Sequence, residues 1–267
     1  DQLQPDPSCS GLYGLPNERS GLTSAECNTS CLCENEDRAF AQPTAESPLF
    51  EYRLQSPPSL LGADPYEEES AVESEDESAV ESEDESLLSS DEPSSTLLAC
   101  VLNIDHSRSE YSLETKRLDQ AESAYITHLG PCGACSSLKD LQVYLSQTDL
   151  TDPVRACGLL DLSQGREVAQ SCLSEIGFSE ACAEIWYFNT KHTRERCLNI
   201  CLEHFNASYV NESGDLNPCL ACDEEESGPV FKRVAGRTRR NSGLVSAICR
   251  PCSTVSQIFH SYLSISD

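Results

Sequence analysis

The chain has 267 residues, of which 45 are acidic and 18 basic, so its formal net charge is −27 at pH 7. This excess of negative charge argues against binding to nucleic acid, because the phosphates would be repelled. No stretch approaches the roughly 20 apolar residues that a membrane-spanning helix needs. The composition therefore excludes nucleic-acid binding and membrane-spanning classes.

Cysteine usage indicates an oxidising compartment. The chain contains 16 cysteines and three Asn-x-Ser/Thr sequons, which predict N-glycosylation at Asn28, Asn206 and Asn211. It contains no methionine, which we interpret as removal of an N-terminal signal peptide. We expect a secreted or surface protein, or one in an oxidising lumen. All of its cysteines should then form disulfides: Cys9, Cys27, Cys31, Cys33, Cys100, Cys132, Cys135, Cys157, Cys172, Cys182, Cys197, Cys201, Cys219, Cys222, Cys249 and Cys252.

The N-terminal third is strongly acidic. Residues 1–99 carry 23 acidic and 3 basic side chains, and an octapeptide, SAVESEDE, occurs at 70–77 and again at 78–85. Dense like charge with few large apolar groups cannot offset chain entropy. We therefore predict a small cysteine-containing segment over residues 1–38 and a disordered acidic linker over 39–98. The linker is interpreted as a spacer, and weak calcium binding to the repeat is the alternative.

From residue 99 to 267 the pattern changes to short amphipathic segments with helix boundaries. Ser136 or Ser137 predicts the start of one helix, and Asp152 before a proline predicts the next. Gly177 is expected to end a third helix, and Ser179 to begin the longest one. These positions define a helical domain that begins at residue 99.

Two further helices are predicted over residues 229–240 and 253–263, and alternating strand patterns are scarce. The predicted fold class is all-α, a small disulfide-rich helical bundle preceded by a disordered acidic segment. Disulfides worth roughly 2 to 4 kcal/mol each would stabilise helices this short. Their pairing does not follow from the sequence, and the two cysteines of a CxxC motif need not pair with each other.

Two sets of CxxC motifs suggest alternative chemistry. Cys132 and Cys135 resemble a thiol-disulfide exchange centre, although the surrounding βαβ pattern is missing. A second set resembles a four-thiolate zinc site, formed by Cys219, Cys222, Cys249 and Cys252. Structural disulfides are favoured over both alternatives, and no cofactor is expected.

A basic run extends from Lys232 to Arg240, with Arg250 beyond it. On a helix over 229–240, positions spaced by four and three would share a face that could clamp an anion. This hypothesis involves Arg233, Arg237, Arg239 and Arg240. The same run matches an Arg-x-Arg-Arg convertase site. The simplest interpretation is a solvated surface paired with the acidic residues at 223–226 or with the acidic tail.

The stretch over residues 130–252 contains GPCGAC, CAEIWYFNT and NPCLACDEEESGPVFKRVAGRTRRNSGL. It resembles an uncharacterised cysteine-rich secreted protein family of algae and other photosynthetic microbes. No activity comes with that family. The resemblance implies a source and a domain boundary.

Three functional hypotheses remain. The leading one is a secreted or surface-exposed disulfide-stabilised binding or structural module, with an extracellular protein or an anionic polysaccharide as its partner. The second is a lumenal enzyme that orients an anionic substrate through the arginine face. The third is a thiol-disulfide oxidoreductase or a zinc module. Trp186, Tyr187 and Phe188 are interpreted as core residues, and catalysis is not the expected role.

Overall fold

A computed structural model describes residues 3–34, 43–55, 97–121 and 123–264. These residues contain six α-helices and three β-sheets, so the fold is mixed α/β and the all-α prediction is wrong. The acidic octapeptide repeat lies outside the described residues. None of the described helices combines the length and apolar character needed to cross a bilayer.

Nine strands form the three sheets. In chain order they are β1 (Cys9–Ser10), β2 (Leu12–Tyr13), β3 (Cys27–Asn28), β4 (Leu32–Cys33), β5 (Arg53–Leu54), β6 (Leu98–Asp105), β7 (Glu110–Arg117), β8 (Tyr125–Leu129) and β9 (Arg250–Pro251). The largest sheet has the order β5-β7-β6-β8, in which β5 and β7 are parallel and the other pairs antiparallel. The small sheets are β1-β4 and β3-β2-β9.

The six helices follow the large sheet. They are α1 (Leu138–Ser146), α2 (Thr151–Gln164), α3 (Arg166–Glu175), α4 (Glu180–Glu203), α5 (Pro218–Glu226) and α6 (Gly228–Ala235). The side chains of Ser137, Ser179 and Asn217 accept hydrogen bonds from backbone N–H groups of the first turns of α1, α4 and α5. The predicted starts of α1 and α4 are therefore confirmed, whereas α5 was missed.

The C-terminal helices were predicted to be too long. Helix α6 ends at Ala235 because Gly236 has a φ of 72°, a conformation that favours glycine and stops the helix. Over the predicted helix at 253–263, the structure contains two short 3-10 turns, Cys252–Thr254 and Ser261–Ser264.

Part of the predicted disordered linker is ordered. Residues 43–55 form a 3-10 turn and strand β5, and Leu49 is 1% exposed in the main core. Phe50 and Tyr52 pack against the same core. Four apolar or aromatic side chains lie within six residues here, namely Leu49, Phe50, Tyr52 and Leu54. They supply the buried surface that the acidic stretch lacks.

All sixteen cysteines lie in the described residues and form eight disulfides. The pairs are Cys9–Cys33, Cys27–Cys249, Cys31–Cys252, Cys100–Cys132, Cys135–Cys182, Cys157–Cys172, Cys197–Cys222 and Cys201–Cys219. As expected, the two cysteines of each CxxC motif pair with different partners. Two of the bridges join the N-terminal segment to Cys249 and Cys252, across more than 220 residues of the sequence. The residues from 238 onward are called the C-terminal segment.

The N-terminal segment also packs on the rest of the protein. Strand β2 pairs with β9, and the backbone N–H groups of Tyr209 and Val210 donate to carbonyls of Arg19 and Ser20. Tyr13 is 2% exposed, and its hydroxyl donates to the carbonyl of Gly243. The small cysteine-containing N-terminal segment is therefore joined to the rest of the protein by strand pairing and hydrogen bonds as well as by disulfides.

Candidate functional site

A cavity of about 320 Å³ lies between α2, α4, α5, α6 and the chain over residues 238–255. Its lining is mostly apolar and includes Val154, Leu220, Phe231, Leu244 and Val255. Cavities of this size and character are typical of small-molecule binding sites. The cavity is therefore the principal candidate site in the described part of the chain.

Large apolar side chains surround the opening of the cavity. Leu159 on α2 and Leu198, Leu202 and Phe205 on or just after α4 line the cavity and are each more than 40% exposed. A cluster of exposed apolar residues at the edge of a pocket is costly in water unless something covers it. The opening is thus suited to an apolar molecule.

Two buried polar atoms at the cavity have no hydrogen-bond partner, the hydroxyl of Tyr144 and the indole Nε1 of Trp186. Tyr144 is only 3% exposed, and burial raises the pKa of its hydroxyl to about 12. The indole N–H of Trp186 interacts with this hydroxyl and opposes that rise. Both atoms are almost completely shielded from water-sized molecules, so they belong to the packed wall of the cavity and not to the surface that a ligand would contact.

Asp223 contributes a second polar feature. Its carboxylate accepts hydrogen bonds from the Thr193 hydroxyl and from the Asn189 amide, and all three residues line the cavity. Burial raises the pKa of Asp223 above its ordinary value despite these donors. This side of the cavity is therefore polar, and its carboxylate is held by two hydrogen-bond donors.

Three cations share one carboxylate beside Asp223. Arg250 Nη2 donates to Glu224 Oε1 at 2.6 Å, and Arg240 Nη2 and Lys232 Nζ donate to Oε2 at 2.8 and 3.3 Å. We call Lys232, Arg240, Arg250 and Glu224 the cationic cluster; all four line the cavity. Burial alone would raise the pKa of Glu224, but the three cations lower it below its ordinary value.

Disulfides hold the walls of the cavity. Cys197 and Cys201 lie one turn apart on α4 and pair with Cys222 and Cys219 on α5. Two parallel bridges prevent the helices from rotating or sliding past each other. A wall fixed in this way reduces the ordering cost of binding.

The predicted arginine face is not formed. Arg237 is 0% exposed, and its guanidinium donates to the carbonyls of Cys135, Thr127 and Ser136 at 2.9 to 3.1 Å. Arg239 donates to the carbonyls of Tyr144 and Gln147 at the end of α1, and to that of Val245. Because α6 ends at Ala235, Arg233 lies on the helix and Arg240 on a separate turn. Of the four predicted arginines, Arg239 and Arg240 line the cavity. The Arg239 guanidinium already donates hydrogen bonds to three backbone carbonyls.

The same contacts affect the convertase interpretation. Arg237 is buried, and Arg240 begins a 3-10 turn, Arg240–Ser242. A protease of this class needs an accessible, extended segment. The fold therefore does not expose the Arg-x-Arg-Arg run as the accessible, extended segment that such a protease cleaves.

The CxxC alternatives lose their free thiols. Cys132 and Cys135 lie in separate disulfides, and the four cysteines of the zinc hypothesis, Cys219, Cys222, Cys249 and Cys252, belong to four different bridges. Zinc needs thiolate ligands, and a sulfur atom in a disulfide is not a thiolate.

The predicted glycosylation positions Asn28, Asn206 and Asn211 are all exposed.

Sequence reasoning missed most of the cavity. Trp186 packs against the main core as predicted and also lines the cavity, and Tyr187 and Phe188 are buried as expected. The predicted pairing of the basic run with residues 223–226 is confirmed at Glu224, which forms ion pairs with Lys232, Arg240 and Arg250. The signal available in the sequence was the acidic group over residues 223–226 shortly before the basic run.

Residues 166–258 match the model of a family of unknown function (DUF8771). The match covers roughly a third of the chain, including α3 to α6 and the whole cationic cluster. It supports an uncharacterised family, as the resemblance implied, and carries no information on source or secretion. No curated protein and no solved structure matches the chain.

Proposed function

We propose that this protein is a binding module whose disulfides hold an apolar cavity open for a small molecule. The observation that carries the proposal is the cavity itself, with apolar walls and an exposed apolar opening. Apolar walls of this extent offer a small apolar molecule many van der Waals contacts. Nothing in this role requires a reaction.

The setting that we propose is the outside of the cell or an oxidising lumen. Eight disulfides favour such a compartment, since thiols stay reduced in the cytosol. The exposed sequon asparagines Asn28, Asn206 and Asn211 would carry N-glycans there. The acidic linker would then act as a solubilising spacer.

A neutral fluorescent probe tests the cavity. N-phenyl-1-naphthylamine is apolar and uncharged, and we expect it to bind saturably with a large rise in emission. Replacing Leu159 with asparagine places a polar group at the opening, and we expect the affinity to fall by roughly threefold to tenfold because apolar contact is lost. Fluorescence titration of the oxidised protein measures both effects.

Leu162 provides a matched control on the same helix. It is 64% exposed and does not line the cavity, so Leu162→Asn should bind the probe within about twofold of the unsubstituted protein. Absence of saturable binding would contradict the proposal. Equal losses in the two variants would show that the probe binds to exposed surface instead.

A further inference from the structure

The cationic cluster carries more positive charge than its own carboxylate neutralises. Lys232, Arg240 and Arg250 all contact Glu224, and no other carboxylate forms an ion pair with these three cations in the described parts of the chain. The neighbouring Asp223 is held by Thr193 and Asn189, and it also acts electrostatically on Arg250. Three positive charges therefore face two carboxylates, which leaves one positive charge in excess even when both carboxylates are ionised.

The cations also retain donor capacity. A guanidinium has five N–H groups and an ammonium three, whereas each of these side chains makes a single hydrogen bond to Glu224. Arg250 is 17% exposed and Arg240 is 32% exposed at the side chain. Partial burial strengthens an electrostatic contact relative to one in open water. A second acidic group could therefore bind beside Glu224 without displacing it.

The cluster and the apolar walls face the same space. Lys232 and Phe231 are neighbours on α6, and Arg250 follows Ile248 on the last segment; all four line the cavity. A molecule that fills the apolar part would bring one of its ends near the cations. This arrangement is unusual in a chain of net charge −27, whose overall field would otherwise repel an anion.

We propose that the ligand is an amphipathic anion, whose alkyl chain lies among the apolar walls and whose acidic head group binds Lys232, Arg240 and Arg250. The inference rests on the proposed function and specifies its ligand class. The competing explanation is that the cluster only ties α5 and α6 to the C-terminal segment. The two differ in whether binding depends on head-group charge.

Competition against bound N-phenyl-1-naphthylamine distinguishes a cluster that binds the head group from a cluster that is only structural. Decyl sulfate carries the same ten-carbon alkyl chain as decanol, and decanoate has the same total number of carbon atoms. The difference in affinity between either anion and decanol therefore reports mainly on the head group. We expect the unsubstituted protein to prefer both anions over decanol by roughly tenfold or more, because charge-assisted hydrogen bonds form only with the anions. Decyltrimethylammonium should bind more weakly than decanol.

Arg240→Gln and Lys232→Gln assign the preference to the cluster. Each should weaken decanoate by roughly tenfold while leaving decanol within about twofold. Arg233→Gln is the matched control, since Arg233 lies next to Lys232 on α6 but does not line the cavity. Thermal unfolding monitored by circular dichroism identifies a variant that has lost its fold, in which case the other variant decides.

Each failure has a distinct signature. If the probe binds but decanoate and decanol compete equally, the head-group inference is overturned while the cavity stands. If Arg240→Gln and Lys232→Gln weaken decanoate and decanol equally, the cluster is structural and the inference is again overturned. If no probe and no alkyl compound binds, the proposed function itself fails.

Discussion

Replacing Arg237 with methionine should lower the free energy of unfolding by about 3 to 5 kcal/mol, because the substitution leaves several buried acceptors unpaired. The guanidinium is wholly buried and donates to three backbone carbonyls, of Thr127, Cys135 and Ser136. These carbonyls belong to β8 and to the turn before α1, while Arg237 follows α6. The Arg237 side chain therefore links strand β8 of the large sheet and the turn before α1 to the chain that follows α6.

Arg237→Lys should also destabilise the protein, since one ammonium cannot reproduce the planar fork that spans three carbonyls. The measurement is equilibrium unfolding in guanidinium chloride under oxidising conditions. Arg196, an exposed arginine on α4, is the matched control, and Arg196→Met should stay within about 0.5 kcal/mol of the unsubstituted protein. A loss below about 1 kcal/mol for Arg237→Met would show that these carbonyls find other donors.

Acidification from pH 6.5 to pH 5 should lower the free energy of unfolding steeply. Burial, reinforced by the nearby Arg237 charge, lowers the pKa of His128 to about 3 and that of His260 to about 4. An unfolded histidine titrates near 6.5. Below that pH the unfolded chain binds protons that the folded chain refuses, so stability is lost as the pH falls toward the folded pKa values.

The expected slope is about 1.4 kcal/mol per pH unit for each of the two histidines once the unfolded form is protonated. Most carboxylates titrate at lower pH, but burial raises the pKa of Asp140 and of Asp223, and protons taken up there by the folded protein oppose the loss. Variants of the two histidines are therefore needed to assign the slope to the imidazoles. His260 Nε2 contacts the carbonyl of Ser242, and His128 Nε2 contacts the Ser136 hydroxyl. The amide of glutamine can make either contact, so His128→Gln and His260→Gln preserve the bonding while removing the titration.

Each glutamine variant should lose about half of the slope. Denaturant unfolding at closely spaced pH values measures the slope. A stability that does not change between pH 6.5 and pH 5 would mean that these imidazoles are accessible to solvent protons in the folded protein.

The helices were predictable where local chemistry determines them. Ser137 and Ser179 cap α1 and α4 through hydrogen bonds formed within one turn, and Gly177, with a φ of 117°, follows α3. Such interactions involve residues a few positions apart and can be read from the sequence. The longest helix and its start were therefore correct.

The large sheet was missed because its strands differ in pattern. Strand β6 has a continuous buried run over residues 99–102, which periodicity alone cannot distinguish from helix. Strand β7 has no regular alternation, since Tyr111 is its one buried residue and the positions beyond it are half-buried at 112–113 and exposed at 114–115. The turn between them lacks an Asn-Gly or Asp-Gly pair and instead uses Asp105, whose carboxylate accepts from the Ser107 N–H and hydroxyl.

The role of Arg237 could not be predicted for a different reason. Five basic residues in the nine positions 232–240 resemble a solvated surface or a cleavage site. Only the tertiary fold shows that the Arg237 guanidinium donates to carbonyls about 100 residues earlier. The cavity is equally non-local, since Tyr144, Trp186 and Phe231 come from three different helices. The sequence could supply the residue types of the site but not their convergence.

The central claim is that disulfides hold the N-terminal segment, the helices and the C-terminal segment as one unit around the cavity. Non-reducing peptide mapping of the native protein by mass spectrometry tests it most directly. We expect linked peptides for all eight pairs, including Cys27–Cys249 and Cys31–Cys252. Free thiols, or bridges that join the four N-terminal cysteines only to one another, would contradict the account.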